Sequence, residues 1–133
     1  MLSDALSYTL EKMASAIQML CNEMPSNLNI LYLTYNRLLK LDAKSKIKSK
    51  NVTVTNYHGF AFNTLRKAGI SAGISDLIQT FNRVRPAISA YDVLILDEYQ
   101  DIELELAEML EFIKESCPGI QIIAVGDMEQ KNI

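Results

Sequence analysis

Two adjacent carboxylates at the end of an apolar run are the first residues of this sequence able to do chemistry. Val93-Leu94-Ile95-Leu96 leads directly into Asp97-Glu98-Tyr99-Gln100-Asp101. A buried parallel strand that delivers such a pair at its carboxyl end is suited to hold Mg²⁺. One carboxylate reaches the metal or its water shell while its neighbour orients or deprotonates a water. Acids also stabilise the N-terminus of a helix, but the preceding strand and Gln100 favour the metal. A second box repeats the arrangement: the apolar run 122–125 is followed by Gly126-Asp127-Met128-Glu129-Gln130. Gly126 permits a tight turn, and Gln130 offers both a donor and an acceptor to a phosphate or a water.

Two further loops carry a different chemistry. Leu33-Thr34-Tyr35-Asn36-Arg37 and Thr55-Asn56-Tyr57-His58-Gly59-Phe60 each combine hydroxyl or amide groups with an aromatic and a cation. Such loops suit single-stranded nucleic acid, in which aromatics stack on bases and small polar groups hold phosphates. Lysines 40, 44, 46, 48 and 50 lie between them and supply attraction to any phosphate backbone.

The elements that must position these loops are legible from periodicity. Apolar residues at three- and four-residue steps predict helices over 4–24, 36–48, 60–67, 76–85 and 102–116, the last with Asp101 as its N-cap. Short apolar or β-branched runs predict strands over 29–34, 52–55, 92–96 and 120–125. The tandem AGIS of residues 68–75 reads as a flexible connection. Strands alternating with helices predict an α/β fold, a three-layer parallel sheet. Working residues of such sheets lie just beyond the carboxyl ends of the strands, where all four loops fall.

Composition limits the remaining possibilities. The chain has 133 residues and three prolines, with 49 % hydrophobic and 22 % charged residues. That is a globular composition of single-domain size. The apolar runs are far shorter than the roughly 20 residues of a membrane span, and the N-terminus lacks the pattern of a signal peptide. Two cysteines 96 positions apart make no metal or disulfide framework and predict core thiols in a reducing, cytoplasmic setting. The net charge of −3 conceals a segregation. Residues 34–67 hold eight basic groups and one acidic, whereas 68–133 hold four basic and twelve acidic.

Taken in order, the four motifs resemble the superfamily 1 DNA helicases of the UvrD/Rep type. The counterparts are motif Ia at 33–37, a motif Ib-like stretch at 55–60, the DExQD motif II at 97–101 and the VGDxxQ motif III at 125–130. The resemblance implies a RecA-like P-loop NTPase fold, with residues 1–133 forming part of helicase domain 1A. It implies ATP and Mg²⁺ as cofactors and single-stranded and duplex DNA as partners, with no membrane. Asp97 would then bind Mg²⁺, and Glu98 would activate the attacking water. Gln100 and Gln130 would sense the γ-phosphate, with Asp127 beside them. Thr34, Tyr35, Asn36, Arg37 and His58 would meet the nucleic acid.

The chain departs from that family in three ways. No GxxxxGK[ST] phosphate loop occurs in it. It extends three residues past Gln130, without a second RecA-like domain. Residues 68–90 form only a short connection where the family inserts its subdomain 1B. The expectation is a fragment that starts after the phosphate loop, inactive alone as an ATPase. Its sheet would lack the phosphate-loop strand, leaving 120–125 as an open apolar edge prone to self-association. Two other classes compete with this reading. One is a degenerate ATPase-like module that only binds nucleic acid or protein. The other is a metal-dependent nuclease with Asp97, Glu98, Asp101 and Asp127 as a two-ion cluster.

Overall fold

Strands that are apolar at every position are stable only where both faces are covered, and strands with polar interruptions belong at edges. The computed structural model, which describes residues 27–34, 40–41, 44–45, 47, 51–97 and 103–125, follows this rule. Its strands are β1 (Ile30–Thr34), β2 (Val52–Asn56), β3 (Val93–Asp97) and β4 (Gln121–Val125). They pair in the order β2-β1-β3-β4, every pair parallel. The runs Ile-Leu-Tyr-Leu and Val-Leu-Ile-Leu occupy the two central positions and are buried throughout. The strands with Thr53 and with Gln121 lie outside them, and both of those residues are exposed.

Among the described residues, three helices pack on one face of this sheet: α1 (Tyr57–Lys67), α2 (Leu77–Val84) and α3 (Leu104–Ser116). Leu31, Leu33, Leu94 and Leu96 point to them and join a single apolar cluster with Phe60, Phe81, Met109 and Ile113. Phe81 sits at its middle, 6.0 Å from the ring of Phe60 in α1 and 5.6 Å, edge-on, from Phe112 in α3. Residues of the opposite face, Ile30, Tyr32, Val93 and Ile95, are just as deeply buried. The sheet is therefore covered on both faces, as the α/β reading requires.

The helices α2 and α3 are tied to each other by polar contacts. Gln79 Nε2 donates to Glu105 Oε1 at 3.0 Å and Asn82 Nδ2 to the Glu105 carbonyl at 3.0 Å. At the other end Arg85 Nη2 donates to Glu115 Oε2 at 2.7 Å, and its guanidinium lies 4.6 Å from the Phe112 ring centre. The helix α2 stops at Arg85, which takes a left-handed conformation (φ 51°) just before Pro86. Gly69, also left-handed (φ 77°), ends α1. The two AGIS copies then diverge: Ile70 packs against the core, whereas Ile74 is 92 % exposed.

Three expectations shift. The helix predicted from residue 60 begins at Tyr57, because Asn56 caps it one turn earlier. The helix predicted from residue 102 begins at Leu104, with Glu103 in the N-cap position. Asp101, the expected cap, lies outside the described residues. At β4 the helical cover gives out. By register Ile122 and Ala124 share the face of Leu94 and Leu96, yet Ile122 is 42 % exposed and Ala124 is exposed as well. The predicted helices over 4–24 and most of 36–48 lie outside the described residues, apart from helical positions at 40–41 and 44–45.

Candidate functional site

The register fixes where the four motifs emerge. Thr34 at the end of β1 pairs with Asn56 at the end of β2, and Asp97 at the end of β3 pairs with Val125 at the end of β4. Because β1 and β3 are also parallel neighbours, all four strands release their loops at one edge. The order along that edge is Asn56, Thr34, Asp97, Val125. Adjacent strands are about 4.8 Å apart, so the row spans about 14 Å. It is divided by chemistry: the two motifs with hydroxyl, amide, aromatic and basic residues follow neighbouring strands on one side, and the two acidic motifs follow neighbouring strands on the other.

Individual residues fall into three groups. Asp97 closes β3 and so stands at the edge by its backbone. Thr34 and His58 are described in full. Thr34 is completely buried at the end of β1. His58 is exposed in the first turn of α1. Tyr35, Asn36, Arg37, Glu98, Gln100, Asp127 and Gln130 lie outside the described residues, as do Glu129 and Asp101.

Within residues 55–60, sequence reasoning assigned the aromatics to base stacking, and the structure assigns them elsewhere. Tyr57 and Phe60 are 1 % and 5 % exposed and belong to the apolar cluster. On an α-helix, residues three apart share a face, so Tyr57 and Phe60 turn to the core together and leave His58 outward. The contribution of Asn56 was also missed. Its Oδ1 accepts the Gly59 N–H at 2.6 Å and caps the helix. An Asn at the end of a β-branched run, three residues before Gly, is the signal that could have revealed it.

Mg²⁺ and a nucleotide can be weighed against what is described. The end of β3 next to the end of β4 fits the metal side, because the register sets Asp97 beside Val125, the residue that leads toward Asp127 in the sequence. The phosphate side does not fit, because the sequence contains no glycine-rich loop with a lysine. Among the described residues no group of three or more His, Cys, Asp or Glu is placed to hold a metal. No described helix is long and apolar enough to cross a membrane. Cys117 is buried with a free thiol, as a core thiol should be.

Residues 7–132 match the model of one protein family, described as AAA domain. No curated protein and no solved structure matches the chain.

Proposed function

This chain belongs to the AAA domain family, and from that premise we propose that it is part of the ATPase motor of a superfamily 1 DNA helicase of the UvrD/Rep type. The parent protein would work in the cytoplasm, move along single-stranded DNA and unwind duplex at the expense of ATP. The AAA domain implies an α/β P-loop NTPase module that uses ATP and Mg²⁺, in keeping with the parallel sheet. The helicase assignment rests on one observation: the ordered edge, with nucleic-acid loops on β2 and β1 and acidic boxes on β3 and β4.

In this reading Asp97 would hold Mg²⁺ and Glu98 would orient and deprotonate the attacking water in the parent protein. Gln100, Asp127 and Gln130 would serve the nucleotide, and Thr34, Tyr35, Asn36, Arg37 and His58 the nucleic acid. Mg²⁺ supplies neutralisation of phosphate charge when bound. The side-by-side exit of motifs II and III gives a route by which the state of the nucleotide reaches the neighbouring DNA loops, one strand away.

The 133-residue chain should bind single-stranded DNA and should not hydrolyse ATP, because it lacks a phosphate loop. Addition of an N-terminal strand and GxxxxGK[ST] loop should create Mg·ATP binding measurable by calorimetry, and Asp97→Ala should abolish it. A folded, extended chain that binds no Mg·ATP would overturn the motor assignment.

A further inference from the structure

Among the described helices, α1 alone has a side-chain cap: Asn56 Oδ1 accepts the Gly59 N–H, whereas Asp76 and Glu103 make no such bond for α2 and α3. Asn56 is extended (φ −89°, ψ 170°) and is at once the last residue of β2, paired with Thr34. The cap therefore ties the first turn of α1 directly to the functional edge. Gly59 is needed for that bond. A Cβ at this position would lie 2.6 Å from Asn56 Oδ1 and 2.7 Å from Thr55 Oγ1, and the Thr55 side chain belongs to a buried residue with little room to retreat. From the other side Tyr57 and Phe60 anchor the same turn in the core. With residues 56, 57, 59 and 60 all committed, His58 is the one side chain of the turn that is exposed.

We propose that Asn56 and Gly59 are positioning residues for nucleic-acid binding: they touch no nucleic acid themselves, but lock the first turn of α1 so that the His58 imidazole is presented to the phosphates of a single strand. The inference rests on the nucleic-acid reading given above. It adds two supports to the one contact, His58, that the sequence already offered in this stretch. The cap restricts the turn to the conformation that binds, so its loss is felt as weaker affinity through His58 and not as a missing bond to the strand.

Fluorescence anisotropy of a labelled oligothymidine with the complete chain tests this by a double-mutant cycle. Asn56→Ala should weaken binding about fivefold, the stability that a lost N-cap removes from a helix being drawn here from the bound turn, and Gly59→Ala should do the same by expelling the capping side chain. Asn56→Ser, which restores a capping oxygen, should bind within about twofold of the unaltered chain. In a His58→Ala background, Asn56→Ala should cause no further loss. Amide exchange read without DNA should show the Gly59 N–H less protected in Asn56→Ala and unchanged in Asn56→Ser. An equal loss from Asn56→Ala in both His58 backgrounds would overturn the proposal, because Asn56 would then act independently of His58. Undiminished Gly59 protection in Asn56→Ala would overturn it as well. If the unaltered chain bound no oligothymidine, the nucleic-acid reading would fail and take the inference with it. Binding with an additive cycle would sink the inference alone.

Discussion

Tyr91 shows how a single side chain is governed by where the fold puts it. It precedes β3 at the edge opposite the candidate site, half-buried, with its ring 6.5 Å from that of Phe60. Burial raises its phenol above the ordinary value of 10.0, and the thiol of Cys117 adds to the rise. Side-chain hydrogen bonds with Thr53 and Ser89 offset part of it. The folded state thus holds the phenolic proton more tightly than the unfolded chain does. The stabilisation is complete below about pH 10 and is lost as the pH rises through the folded value. Denaturant titrations between about pH 9 and pH 11 should show stability falling with pH, and Tyr91→Phe should flatten that fall. His58, by contrast, is exposed, and its interest lies in the helix turn that aims it.

At the scale of elements, α2 was read closely from sequence, as 76–85 against Leu77–Val84, but its stability comes from packing. It has eight residues, short for a stable isolated helix. What holds it is Phe81, fully buried between Phe60 of α1 and Phe112 of α3. Phe81→Ala should cost about 3–5 kcal/mol in urea unfolding, because it opens a cavity where all three helices meet. The Arg85–Glu115 pair closes the same interface, but its side chains are 51 % and 62 % exposed. Its removal by Glu115→Gln should change stability by less than about 1 kcal/mol. The strands were readable because their runs are apolar or β-branched over strand length. Helix starts were less readable. Capping at Asn56 and the first turn of α3 at Leu104 depend on where the preceding strand ends, which periodicity does not encode.

For the whole molecule, the open question of association centres on β4. It is the last strand of the described sheet, carries no charge or proline over Gln121–Val125, and leaves Ile122 and Ala124 uncovered by helix. Natural edge strands usually carry a charge, a proline or a bulge that blocks further pairing. The chain should therefore self-associate as its concentration rises, and Ile122→Lys should return it to a monomer by light scattering. A monomer at high concentration without the substitution would show that this edge is already closed. The segregation of charge has its own consequence at this scale. Basic groups concentrated in 34–67 and acidic groups in 68–133 should make single-strand binding fall steeply with salt despite a net charge of −3.

What the amino-acid sequence determined by itself was the class of fold and the chemistry available to it. Apolar runs of strand length, helical periodicity and the four polar motifs are local properties, and local spacing suffices to read them. Tertiary structure decided which of those residues are free to act. Thr34, Tyr57 and Phe60 have types that suit contact with nucleic acid, yet each is buried because the face of the strand or helix that carries it meets the core. His58 has the same credentials and is exposed, since it falls on the other side of the same turn. The left-to-right order of the motifs along the edge was also beyond the sequence. It depends on β1 lying between β2 and β3, a pairing between strands distant in the chain that only the packed sheet establishes.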